Sequence, residues 1–245
     1  MTGRFLILFK PSFKLYLGDV PILKRKALIM ERKSRKGLLV AAISLAAFVV
    51  WTVLVCTLDV AAIGPQGSEV GFASFNGSVH SLTGVHMWLY TVTDWLGLVP
   101  IAVALGFGIL GLCQWIKRKS LLRVDRSILA LGIFYVAVMA AYVLFEFVVI
   151  NYRPVLIDGH LEASYPSSTT MLTLCVMPTA AMQLQGRIRS KSFIISAVTI
   201  ISVFTAFMVL GRLICGVHWA SDIIGGVLLS ASLVAGYAWG ADYKL

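Results

Sequence analysis

Near its C-terminal end the chain reads GRLICGVHWASD, which brings Arg212, His218 and Asp222 into one short stretch. An imidazole can act as nucleophile or base near neutral pH, and a carboxylate that fixes one ring nitrogen leaves the other free to react. His218 and Asp222 are four apart and share a face if a helix starts near His218. Arg212 adds a planar fork of N–H donors that matches phosphate or carboxylate oxygens, and Arg153, followed by Pro154, offers a second. A third segment, YPSSTT at 165–170, sets Ser167, Ser168, Thr169 and Thr170 at the entry to an apolar run. Uncapped N–H groups and the positive dipole end of a helix favour an anion there, although an ordinary serine or threonine N-cap accounts for the run as well. A lone arginine would be explained by reaching the membrane interface, or by pairing with Asp158 or Asp222. Two guanidiniums, a helix N-terminus and an oriented histidine together suit a phosphoryl group.

The elements that must position these residues are membrane spans. The 245 residues are 59% hydrophobic and 13% charged, roughly half the charged share of a soluble domain, and the mean hydropathy is +0.89. Disordered, collagen-like and nucleic-acid-binding classes fit this composition badly. A helix needs about 20 mostly apolar residues to cross the hydrocarbon core. Six runs qualify, at 38–58, 98–116, 127–150, 169–185, 192–212 and 221–240, which predicts an all-α integral membrane bundle of six transmembrane helices over 38–245. A long loop at 59–97, a basic loop at 117–126, a polar loop at 151–168, a short basic loop at 186–191 and a tight connection at 213–220 join them.

Orientation follows from charge, because cytoplasmic segments carry the excess of Lys and Arg. Of the 21 basic residues, 19 fall in 1–37, 117–126, 186–191 and at Lys244, which places both termini in the cytoplasm. The other two, Arg153 and Arg212, stand on the extracytoplasmic face with Asp59, Glu69, Asp94, Asp158, Glu162 and Asp222. Arginines retained on a face that otherwise excludes basic residues call for an anionic ligand.

Residues 1–37 mix apolar triplets with lysines and contain Pro11 and Pro21, unlike a signal peptide. They read either as a basic segment lying on anionic lipid or as an extension upstream of a start at Met30. Cys56, Cys113, Cys175 and Cys215 are scattered, without metal-ligand spacing, and read as free thiols. Trp88, Tyr90 and Trp95 in 83–97 suit interfacial anchoring, with His86 and Asp94 on the side of a substrate vestibule. Pro178 falls inside the fourth span, where neighbouring helices tolerate a kink.

With these residues in view, residues 60–239 resemble the type 2 phosphatidic acid phosphatases (PAP2), six-helix membrane enzymes that remove phosphate from lipid phosphates and diphosphates. Their signature is KxxxxxxRP, PSGH and SRxxxxxHxxxD. Gly211, Arg212, His218 and Asp222 match the third part with glycine for serine; Arg153 and Pro154 match the first, with Glu146 for lysine. Pro166, Ser167, Ser168 and Thr169 match the second, with serine for glycine and threonine for histidine. The resemblance implies that His218 attacks phosphorus to form a phosphohistidine, that Asp222 orients and charges it, and that Arg153, Arg212, Ser167 and Ser168 bind the phosphate. It implies no metal and no cofactor. Thr169 cannot protonate a leaving group as the family's histidine does, and Glu146 removes one positive charge from the clamp.

Acid help matters most when the leaving group is basic. An alkoxide has a conjugate acid near water's pKa of about 15.7, whereas a phosphate titrates near about 6. The paired departures therefore favour a lipid diphosphate, such as a polyprenyl diphosphate, unless Glu146, His160 or Glu162 serves as acid; an ion pair within the bundle is the other reading of Glu146. The alternatives are a lipid-phosphate-binding protein that does not hydrolyse, and a lipid-linked phosphotransferase. Membrane lipids surround the chain in every reading, and nothing in the sequence sets its oligomeric state.

Overall fold

The computed structural model describes the backbone of residues 16–241 and the side chains of residues 36–241. Residues 1–36 and 37–245 are separate units. The first is described only as the start of helix α1 (Tyr16–Thr57). The expectation of a lipid-bound basic segment falls on residues 1–15 and on side chains of 16–35, outside those described, as does Lys244.

The second unit continues α1 and adds α2 (Ala73–Thr83), α3 (Met87–Leu96), α4 (Leu98–Arg118), α5 (Arg126–Phe147), α6 (Ser168–Arg187), α7 (Lys191–Ile214) and α8 (Ala220–Gly240). The described residues are thus helical, with three isolated β-bridges in the loops. Five stretches are long and apolar enough to cross a membrane: Lys36–Thr57, Met87–Arg118, Arg126–Phe147, Lys191–Ile214 and Ala220–Gly240. The remaining predicted span, α6, is 20 residues long, carries several Thr and Gln, and packs against α4, α5, α7 and α8. Half of it is fully buried, including Thr170, Thr173, Thr179 and Gln183. A helix enclosed by other helices faces little lipid, so its polar side chains find protein partners and its sequence need not be uniformly apolar.

Two expected boundaries change. The segment 59–97 is not a plain loop, because it holds α2 and α3, and α3 runs through Gly97 into α4 as one apolar stretch, Met87–Arg118. Span three stops at Phe147 rather than residue 150. Glu146 therefore stands at the end of a helix, whereas Arg153 lies in an irregular loop whose residues Tyr152 and Ala163 pair as a bridge.

The core that supports the 148–167 loop runs through Phe48, Val55, Leu131, Phe134, Tyr165 and Met171. Tyr165 is central, since its hydroxyl bonds Thr52 Oγ1 at 2.7 Å and its ring stacks on Phe48. A Cβ on Gly225 would sit 2.5 Å from that ring, so glycine lets the 165–167 loop lie directly on α8. α2 is pinned to the same end. Asn76, fully buried, donates to Ser221 Oγ at 2.9 Å and accepts from the Ser221 N–H at 3.0 Å. At the opposite end Arg118 and Arg187 both pair with Asp125, tying α4, α5 and α6 together.

Candidate active site

The loop between α5 and α6, the last turn of α7 and the first turn of α8 converge on His218. Residue 218 precedes α8, which starts at Ala220, so the expected shared helical face of His218 and Asp222 does not form. Ser164, absent from the sequence-based set, joins them instead. Its Oγ lies 2.9 Å from His218 Nδ1 and donates to Asp222 Oδ2. On the other ring nitrogen, Arg153 Nη1 approaches Nε2 at 3.3 Å and Arg212 Nη2 at 3.1 Å. A guanidinium can only donate, so Nε2 bears the lone pair and Nδ1 the proton. One direction of bonding then satisfies every group: Nδ1–H to Ser164 Oγ, and Ser164 O–H to Asp222. Burial, followed by Arg153 and Arg212, holds the His218 pKa well below its ordinary value, against a smaller raising effect of the Ser164 carbonyl. The imidazole is thus neutral at neutral pH, with its Nε2 lone pair facing the two guanidiniums.

Asp222 is held by four donors in all: Ser164 Oγ, Asn151 Nδ2 at 2.9 Å, the Trp219 N–H at 3.1 Å and Ser221 Oγ at 3.3 Å. Asp222 is fully buried, and these donors offset the desolvation of its carboxylate. Asn151 and Ser221, like Ser164, carried no motif signal, because only the folded loops bring them to the carboxylate.

The arginines are buried, Arg212 to 1% exposure and Arg153 to 9%. Arg212 lies over the Tyr90 ring at 5.0 Å, with Thr93 Oγ1 at 3.5 Å and Asp94 Oδ1 at 3.8 Å from Nη1. Glycine at 211, where the family has serine, fits this packing, since a Cβ there would meet the Thr93 methyl at 2.8 Å. Arg153 Nε approaches Glu162 Oε2 at 3.0 Å, but at an angle that makes no hydrogen bond; the Nε of both arginines is buried without an acceptor. Two adjacent guanidiniums, each with an unmet Nε–H and flanked by partly exposed carboxylates, have the chemistry to receive an anion.

The predicted residues of the second motif divide. Ser167 is fully buried; its hydroxyl donates to Thr170 Oγ1 at 3.0 Å and its N–H to the Asp222 carbonyl at 3.1 Å. It sits at the N-cap of α6 without capping through its side chain, so the ordinary N-cap reading of the serine does not hold. Ser168 and Thr169 line a cleft of about 420 Å³ with Asp94 at its polar end and Leu98, Val138 and Leu172 along its walls. Glu146 is exposed and forms no ion pair among the described residues, contrary to the expected pairing within the bundle. Glu162 reaches the site through Arg153, whereas His160 is exposed and its backbone pairs with Ile157. No cluster of metal-ligating side chains occurs among the described residues. The cysteines are unpaired, with Cys175 and Cys215 buried.

Residues 144–244 match the model of the PAP2 superfamily. The fold is similar to a crystal structure of a transmembrane PAP2 type phosphatidylglycerolphosphate phosphatase from Bacillus subtilis, at a TM-score of 0.56 and 19% identity, covering 81% of this chain and 94% of that one. No curated protein matches. The chain is thus similar to the PAP2 superfamily over residues 144–244, and its fold is similar to that of a PAP2 type phosphatase.

Proposed function

We propose that the protein is a lipid phosphatase that acts on lipid diphosphates through a phosphohistidine at His218. The observation that carries this reading is Nε2 of His218 held between two buried guanidiniums whose Nε–H donors are unmet. A phosphoryl group entering there gives Arg153 and Arg212 their acceptors and brings phosphorus to the lone pair. Nε2 bonds to phosphorus, the bond to the bridging oxygen breaks, and the lipid leaves as its monophosphate. The imidazole becomes cationic in this step, and its Nδ1–H, through Ser164, meets the charge of Asp222. Water then bonds to phosphorus, the P–N bond breaks and inorganic phosphate departs.

Threonine at 169 supports the choice of a diphosphate. General acid help is typically worth about 10²- to 10⁴-fold, and a phosphate leaving group, titrating near about 6, does without it. The charge distribution supports an extracytoplasmic site, with substrate presented from the outer leaflet and both termini in the cytoplasm.

The test is to incubate purified protein with a polyprenyl diphosphate labelled in the terminal phosphate, and separately with a labelled lipid monophosphate. Acid-labile label on His218, released to water and formed faster from the diphosphate, is the expected result. Absence of label identifies a binder, transfer of label to a second lipid identifies a phosphotransferase, and equal or faster turnover of the monophosphate refutes the substrate preference.

A further inference from the structure

Release of phosphate from a phosphohistidine needs a base for the attacking water, and Thr169 stands where the family has an ionisable side chain. Besides Asp222, three carboxylates lie near the site. Glu162 is on the far side of Arg153, at its Nε, and is not among the residues that line the cleft beside Ser168 and Thr169. Glu146 faces a narrow gap beside Ser164 and Ser168 and pairs with neither arginine. Asp94 meets both conditions. It lies 3.8 Å from Arg212 Nη1, while Nη2 of the same guanidinium is 3.1 Å from His218 Nε2, and it lines the cleft that holds Ser168 and Thr169. Carboxylate and nucleophile thus flank one guanidinium, on the side where the second motif's histidine is missing. Asp94 is also 59% exposed at its side chain, so protein does not enclose it.

Resting on the lipid phosphatase reading, we infer that Asp94 is a catalytic residue of the second half-reaction, the base that activates water against the phosphohistidine. An aspartate carboxylate beside a guanidinium suits a base and not an acid. That division matches the substrate: a lipid monophosphate leaves without a proton, and only the water needs help. In the step itself the water oxygen bonds to phosphorus, one water proton passes to Asp94, and the P–N bond electrons return to His218 Nε2. Asp94 then releases its proton to solvent through its exposed side.

The test uses the full-length protein in detergent with the labelled diphosphate under single-turnover conditions. Asp94→Asn should form phosphohistidine within a few-fold of the wild-type rate but lose it about 10²- to 10⁴-fold more slowly, so that label accumulates on nearly every molecule. Asp94→Glu should shorten that lifetime towards wild type. Decay of label in Asp94→Asn at the wild-type rate overturns the inference. So does failure of that variant to label while wild type labels, because Asp94 would then serve phosphate binding or folding. If wild type itself never labels at His218, the phosphatase reading falls, and the role of Asp94 falls with it.

Discussion

Ser164 is the residue on which the connection between His218 and Asp222 depends, and Ser164→Ala tests it directly. The substitution removes the acceptor 2.9 Å from Nδ1 and the donor to Asp222 Oδ2 together. Asp222 keeps three donors, from Asn151, Trp219 and Ser221, so the carboxylate stays satisfied while the imidazole loses its partner. A hydrogen bond to a charged group contributes about 1.5 to 3 kcal/mol, and this one is needed most when the ring becomes cationic. At about 1.4 kcal/mol per tenfold in rate, phosphohistidine formation should slow by about 10- to 150-fold. Rapid-quench labelling measures that step, and a thermal melt in detergent checks the fold. If Ser164 carries the interaction, Asp222→Asn and Ser164→Ala overlap, and the double variant falls well short of the product of the two losses. A loss under twofold in Ser164→Ala, or losses that multiply, would refute the relay.

The remaining predictions concern charge, topology and backbone. His218 stays neutral well below its ordinary pKa because it is buried beside Arg153 and Arg212. The labelling rate should therefore hold level as pH falls through about 6.5, the ordinary histidine value, and Arg153→Gln should move the acid limb upward while slowing the reaction. Below about 6.5 the unfolded chain takes up a proton that folded His218 refuses, so stability should decline with acid, measured as the thermal midpoint against pH. Cysteine at the exposed His160 position, with Cys56 and Cys113 changed to Ser, should react with an impermeant maleimide on sealed cells; reaction only after permeabilisation would reverse the orientation. Gly216 has φ +71° and a Cβ there would lie 2.0 Å from the Gly84 carbonyl oxygen. Gly216→Ala should therefore cost more than about 1 kcal/mol of stability, seen as a lower thermal midpoint.

Much of the molecule was legible along the chain. Apolar runs of spanning length report the solvent outside a helix, so α1, α4, α5, α7 and α8 could be read without knowing any contact. Even α6 was found, although its Thr and Gln content reflects its central place. The second helical layer, α2 and α3, was read as loop, because short helices held by contacts such as Asn76 to Ser221 carry little periodic signal.

The sequence by itself determined which groups could do chemistry: two arginines on a face poor in basic residues, and a histidine and an aspartate at a motif spacing. That information is local, set by residue type, separation and the side on which charge accumulates. Only the tertiary structure decided how they connect. Asn151 and Ser164 meet Asp222 across 71 and 58 residues of chain, and Asp94 meets Arg212 from another helix. Such distant contacts depend on where the loops close over α8, through Tyr165 against Gly225 and through Gly216 under Gly84. No spacing rule records them, since the energy that selects them comes from packing between segments far apart in the chain.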